Sequence, residues 1–183
     1  MTKYINLMGE DNVYDFAIIG GGISSCVFVS NHIKNGFNGR FAIIENGRNL
    51  GGRSSTRNSL ANNGWKLNHG SPNFNINNKT KNKLLKIFIK ELLDSNLIQN
   101  DPSDVIKLYD GYIFDSETNS NFYRGANYIS NTSMSELLNN IVSKNNLKKQ
   151  IEYFFETLIV KLDYVKNKWD LTSKNGHKFK LKF

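Results

Sequence analysis

The chain has 183 residues, of which 39% are hydrophobic and 22% charged, and a formal net charge of +8. That is the composition of a globular rather than a disordered chain, with room for one ordinary domain and its core. A single cysteine, Cys26, excludes an intrachain disulfide and a thiolate metal site.

Residues 1–12 are polar and lack the apolar core of a secretory signal. No later stretch approaches the roughly 20 apolar residues of a membrane helix, so the expected location is the cytoplasm, with no membrane partner. The lysines are scattered (79–90, 144–149 and 174–182) without an aromatic platform, so no nucleic-acid partner is expected either. His32, His69 and His177 are too dispersed for a metal cluster.

Residues 14–19 (Tyr-Asp-Phe-Ala-Ile-Ile) form a short apolar run interrupted by Asp15, which predicts a strand buried on both faces of a parallel sheet. The run breaks at Gly20-Gly21-Gly22. Ile23, Cys26, Val27, Val29, His32 and Ile33 then recur close to helical spacing, with Cys26 on the inner face, and Asn35-Gly36 predicts the helix end. Phe41, Ala42, Ile43 and Ile44 predict a second buried strand ending in Glu45.

Strand, G-x-G-x-x-S and helix together make a phosphate cradle. Gly20 permits the tight turn and Gly22 the close approach of a pyrophosphate. The helix starting near Ile23 aims free N–H groups and its positive dipole end at the phosphates. Ser24 offers a hydroxyl, and Ser25 stands at the third motif position in place of glycine. Glu45 is placed to accept from the adenosine ribose hydroxyls. This constellation specifies a dinucleotide but does not separate FAD from NAD.

After Glu45 comes a polar loop, Asn46-Gly-Arg-Asn-Leu-Gly-Gly-Arg, in which Gly51-Gly52 precede Arg53. Two glycines let backbone N–H groups face a ligand, and Arg53 suits a phosphate or an anionic flavin ring; a mobile polar loop is the alternative. Residues 65–68 predict a short strand turning at Gly70, with Trp65 as core or interface filler and His69 as either catalytic or a loop residue.

These residues carry a family resemblance. G-x-G-x-x-S, Glu45, Gly51-Gly52-Arg53 and Asn68-His69-Gly70-Ser71 resemble the flavin-containing amine oxidase superfamily, and within it the renalase-like branch. There the last motif commonly reads Asp-His-Gly-Ala-Gln; here Asn68, Ser71 and Pro72 stand in for its Asp, Ala and Gln. The resemblance implies FAD as cofactor, touched by Ser24, Arg53, Gly70 and Ser71. With the cradle, the cofactor-binding set is Gly20, Gly22, Ile23, Ser24, Ser25, Glu45, Asn46, Gly52, Arg53, Gly70 and Ser71. It implies an oxidoreductase moving hydride from a small amine or reduced nitrogen-containing substrate to the flavin, with no catalytic residue nameable.

Residues 80–97 predict an amphipathic helix with Leu84, Leu85, Ile87, Phe88, Leu92 and Leu93 as its stripe, ended by Asp101-Pro102. Residues 105–123 predict short strands whose Tyr109, Tyr112 and Phe114 line a substrate pocket or fill a sheet. Ser133-x-x-Glu136 is a capping box opening a helix with Met134, Leu137, Leu138, Ile141 and Val142 as its stripe. Residues 151–158 predict another parallel strand. Residues 159–162, 169–171 and 179–183 predict a three-stranded meander turned at Asn167 and Asn175-Gly176.

The predicted fold class is α/β: a Rossmann-like FAD/NAD(P)-binding parallel sheet with a β-meander and part of an α+β substrate domain. Its domains are the FAD-binding βαβ unit and Gly-Gly-Arg loop (1–78), the partial substrate domain (79–148), and the returning strand and meander (149–183). The resemblance reaches only about the first half of a typical member. A truncated remnant, or one part of a split flavoenzyme completed by a second chain, is therefore also expected. On this reading the purified chain retains little or no flavin, which its visible spectrum tests; a stoichiometric yellow protein is the contrary result.

Overall fold

The structure is a computed structural model that describes residues 13–59, 64–77, 79–101, 107–109, 112–114, 125–143 and 149–182. Along the chain run β1 (Val13–Tyr14), β2 (Phe16–Ile19), α1 (Ile23–Lys34), β3 (Phe41–Ile44), a 3-10 turn (Gly52–Ser54), β4 (Thr56–Asn58) and β5 (Lys66–Asn68). There follow β6 (Asn73–Asn77), α2 (Lys83–Asp94), β7 (Ile98–Asn100), β8 (Lys107–Tyr109), β9 (Tyr112–Phe114), β10 (Gly125–Ser130) and α3 (Met134–Ser143). The chain closes with β11 (Ile151–Phe154), β12 (Ile159–Val165), β13 (Lys168–Ser173) and β14 (Lys178–Leu181). Two compact units result, one from residues 1–55 with 138–183 and one from 56–137.

The first unit holds a parallel sheet of order β11-β3-β2 and a second sheet of order β1-β14-β13-β12. Every residue of β3 is buried, as a central strand flanked on both edges requires. The return of the chain as β11, parallel to β3, agrees with expectation.

The predicted single strand over 14–19 is in fact split at Asp15. Its carboxylate accepts from the Arg40 backbone N–H (2.7 Å) and pairs with the Lys182 ammonium (2.9 Å). Burial pushes the Asp15 carboxyl upward, but these donors prevail and hold it below the usual range. Tyr14 consequently turns away to pair with Leu181 of β14, while Phe16 starts β2. Nor is β2 buried on both faces: it is an edge of its sheet, and Ile19 is 54% exposed. Phe16 and Gly20 donate their N–H groups toward β3, so the alternating Ala17 and Ile19 present theirs to the open edge.

The meander forms as expected. Lys166 and Asn167 both take positive φ (51° and 61°), the primed two-residue turn that matches strand twist, and Gly176 takes φ 82° at the next turn. One face of the meander meets the parallel sheet through a buried cluster of Tyr14, Ala42, Ile44, Leu171 and Phe179. Phe154 lies edge-on to both Tyr14 (5.9 Å) and Phe179 (4.8 Å). The Tyr14 hydroxyl donates to Glu152 (2.5 Å), and the Arg40 guanidinium lies 4.9 Å above its ring. Cys26 is a core residue of α1, and burial pushes its thiol up to about 12.

The second unit holds the hairpin β4-β5, the antiparallel sheet β6-β10-β7 and the hairpin β8-β9. Tyr109, Tyr112 and Phe114 lie on β8 and β9; the rest of 105–123 lies outside the described residues. Trp65, expected as core or interface filler, is instead 71% exposed. The helix expected over 80–97 is shorter. Asn82 caps its start by accepting from the Leu85 N–H (3.0 Å). At its end, Leu97 N–H donates to Leu92 (2.9 Å) and Asn96 N–H to Leu93 (2.9 Å), with Asn96 at φ 54°. That is a Schellman closure with asparagine in the usual glycine place. The helix thus stops well before Asp101-Pro102, and β7 occupies the interval.

The capping box forms in full: Glu136 N–H donates to the Ser133 hydroxyl (3.2 Å), and Ser133 N–H donates to the Glu136 carboxylate (3.2 Å). Lys66 bonds the same carboxylate, and this ammonium first, then the Ser133 N–H, hold Glu136 below its usual range. A lowered folded pKa means that the contribution is complete above the ordinary value of about 4.5 and lost as pH falls through the folded value. We therefore expect Ser133→Ala to cost about 1 kcal/mol in urea unfolding. Acidification below pH 4.5 should lower the urea midpoint more steeply in the wild type than in Glu136→Gln.

Candidate functional site

The β2–α1 junction is built from backbone. Gly20 takes φ 99°, a region side chains disfavour, and its N–H donates to the Ile44 carbonyl (2.8 Å), carrying the ladder one step past β2. Gly21 is buried, and its N–H donates to Glu45 Oε2 (2.6 Å). Gly22 is the N-cap of α1, extended at φ −81° and ψ −179°, with no side-chain cap and no acidic residue in the first turn. The first bond inside the helix is Cys26 N–H to Gly22 C=O (3.2 Å), so the N–H groups of Ile23, Ser24 and Ser25 precede the helical ladder. A Cβ built on Gly22 meets nothing within 4 Å, so open space lies directly before these donors.

Ser25, where the motif commonly has glycine, bridges the junction. Its hydroxyl donates to the Gly20 carbonyl (2.5 Å) and closes the turn from below. Ser24 is exposed on the first helical turn, and Ile23 is 37% exposed beside it.

The second glycine pair belongs to the same place. Gly51 N–H donates to the Gly21 carbonyl (2.9 Å), and a Cβ on Gly52 would lie 3.7 Å from the Gly22 Cα. Gly52 takes φ 55°, and Ser54 N–H returns to the Gly51 carbonyl (2.9 Å), forming the 3-10 turn that carries Arg53. Arg53 is exposed and pairs with no carboxylate among the described residues, whereas Arg48 pairs with Glu156 (3.7 Å). These bonds tie the loop to the first turn.

Leu50 explains the contact. It is 1% exposed, and its Cδ2 would stand 2.8 Å from a Cβ on Gly21. Leu50 thus fills the place a side chain at Gly21 would take, a pairing that spacing along the chain does not reveal. Motif reading did not single out Leu50, and the Gly51 N–H, expected to face a ligand, instead donates to the Gly21 carbonyl.

Glu45 stands at the C-terminal end of β3. Oε2 accepts from Gly21, and Oε1 accepts from Gly47 N–H (2.6 Å). Its backbone is held from β11: its N–H donates to the Phe154 carbonyl (2.8 Å), and Thr157 N–H to its own (3.0 Å). Asn46 follows it, exposed. Gly20, Gly22, Ile23, Ser24, Ser25, Glu45, Asn46, Gly52 and Arg53 therefore all lie in the first unit.

Gly70 and Ser71 lie in the second unit, exposed in the turn between β5 and β6, with His69 beside them. Asn68 serves the fold there. Its Oδ1 accepts from the Thr56 hydroxyl (2.7 Å) and the Met134 N–H (3.1 Å), joining β4 and β5 to the start of α3.

Gly20 and Gly22 should respond differently to the same methyl group. Gly20→Ala meets strain at positive φ and should lose about 1–3 kcal/mol in chemical denaturation. Gly22→Ala occupies ordinary backbone in open space and should change stability by less than about 0.5 kcal/mol.

Residues 18–92 match the family described as an NAD(P)-binding Rossmann-like domain, a span that includes both glycine turns and Glu45. No curated protein matches the chain. Among solved structures it is similar to PqsL, a probable FAD-dependent monooxygenase from Pseudomonas aeruginosa, at 14% identity and a TM-score of 0.50, covering 93% of this chain and 41% of that one. It is also similar to the tetracycline destructase Tet(55), at 13% identity and a TM-score of 0.51, covering 93% and 37%. The Diels-Alderase PyrE3 of pyrroindomycin biosynthesis is similar at 12% identity and a TM-score of 0.50, covering 91% and 31%. At such identities the likeness is one of fold, and the chain spans about two-fifths or less of each neighbour's length. The chain is thus a mixed α/β protein with a parallel sheet and a Rossmann-like NAD(P)-binding domain over residues 18–92, and its fold is similar to part of each of these neighbours.

Proposed function

We propose that this chain forms the nucleotide-holding part of an FAD-dependent oxidoreductase of the amine-oxidase type, close to its renalase-like branch. One observation carries the reading: the bond from Gly51 to Gly21, which sets Gly52 and Arg53 beside the Gly22 cradle. A nicotinamide dehydrogenase needs only the first turn; the second turn is the flavoprotein feature of the resemblance.

The residues fit the group. The free N–H groups of Ile23, Ser24 and Ser25 and the dipole of α1 favour a pyrophosphate in front of Gly22, with the Ser24 hydroxyl as a further donor. Glu45 keeps a lone pair on each oxygen for a ribose hydroxyl, since each oxygen has one N–H partner in the fold. Asn46 lies beside it on the adenosine side, and Arg53 offsets the negative charge of the phosphates or flavin. Gly70 and Ser71 belong to the flavin end by resemblance. Bound FAD would supply the redox chemistry, taking a hydride from a C–H next to nitrogen in a small amine or reduced nitrogen-containing substrate. What the chain contributes is binding, orientation and charge.

A second reading is favoured by the sheet edge. Ala17 and Ile19 present backbone groups that no described strand pairs, and Val160, Leu162 and Tyr164 on β12 are 53–59% exposed. Here the chain is one part of a split flavoenzyme, completed in the cytoplasm by a second polypeptide, or a non-catalytic remnant that keeps the nucleotide pocket.

Titration of the purified chain with FAD, NAD and ADP, followed by thermal melting, tests the reading. We expect weak saturable stabilisation by FAD and ADP that exceeds that by NAD. Gly22→Ala and Arg53→Ala should each weaken it about tenfold while the unliganded melting temperature stays unchanged. Stabilisation by NAD above FAD would transfer the chain to the nicotinamide dehydrogenases. Indifference of FAD to both variants would remove the cradle.

A further inference from the structure

In the second unit, α2 lies over the sheet β6-β10-β7 and leaves a cleft of about 260 Å³. Its sheet side is Ile76 and Tyr128, whose ring stacks on Phe74 at 5.7 Å. Its helix side is Lys86, Ile89, Lys90 and Leu93, which recur at i, i+3, i+4 and i+7 and so share one face of α2. Ile89 is 7% exposed, whereas Leu93 is 36% exposed, so the apolar wall runs from the core to the mouth. Asn77, the last residue of β6, and Thr80, in the connection to α2, also line it.

The chemistry of this cleft is uneven in a useful way. Lys86 and Lys90 stand one helical turn apart, and among the described residues neither ammonium meets a carboxylate or another side-chain partner. The Tyr128 hydroxyl likewise has no hydrogen-bond partner among the described residues. Two like charges on adjacent turns of one face repel each other, and an anion between them relieves that repulsion. Apolar walls beside the charges reject a fully hydrated ion such as inorganic phosphate and favour a ligand with an apolar body. The volume is below that of a drug-sized site, so the ligand is small.

We propose that this cleft binds a small carboxylate with an apolar body. The carboxylate is held between Lys86 and Lys90 with the Tyr128 hydroxyl as a further donor, and the body lies on Ile76, Ile89 and Leu93. The site lies wholly within the second unit and owes nothing to the nucleotide reading; it stands or falls separately.

Two-dimensional amide NMR of the full chain, titrated with hexanoate, benzoate, hexanol and inorganic phosphate, tests it. Hexanoate and benzoate should give saturable shifts centred on Ile76, Ile89, Leu93 and Tyr128, with hexanol at least about tenfold weaker. Lys86→Gln/Lys90→Gln should weaken hexanoate about tenfold and leave hexanol unchanged. Shifts spread over the other lysines, equal binding of hexanol, or phosphate binding as tightly as hexanoate would overturn the proposal. If the double variant loses its dispersed spectrum, the hexanoate–hexanol comparison on the wild type decides alone.

Discussion

The hydrogen bond from Gly51 to the Gly21 carbonyl is the constraint on which the proposed nucleotide site depends. It joins two loops far apart in the chain, and it requires that Gly21 have no side chain, because Leu50 stands where one would be. A buried apolar residue and a missing one therefore fix the position of a charged one, Arg53. The desolvated backbone groups at this junction are paired, as buried amides must be, and the donors left over face the open space before Gly22.

Glu45 has a double part in that arrangement. Its carboxylate ties the end of β3 to the first glycine turn through Gly21 and stiffens its own loop through Gly47. Charge-assisted bonds of this kind are stronger than neutral ones. The acid proposed to meet a ribose is thus positioned by bonds within the fold, and preorganisation of this sort reduces the ordering cost of binding.

Asp15 plays the corresponding role for the sheets. By taking the Arg40 N–H and the Lys182 ammonium, it divides one apolar run between two sheets and brings Tyr14 into the cluster with Leu171 and Phe179. The same division leaves β2 as a sheet edge, with Ile19 in solvent where a central strand would be covered. The meander shows a related imbalance: Leu171 is buried against the parallel sheet, while its cross-strand partner Leu162 is 53% exposed.

What the amino-acid order determined alone is whatever depends on neighbours in the chain. Helical spacing after Gly22, the capping box Ser133–Glu136 and the hairpin at Asn167 were all legible, because local geometry or period decides them. The Schellman end at Asn96 was equally local and was overlooked because asparagine is a weaker signal than proline. Only the tertiary structure decided that Leu50 sits over Gly21, that Asp15 parts two sheets, that Asn68 serves the start of α3 and that Trp65 faces solvent. Each of these turns on a partner remote in sequence, and residue pattern carries the propensity of a segment but not the identity of what will lie against it.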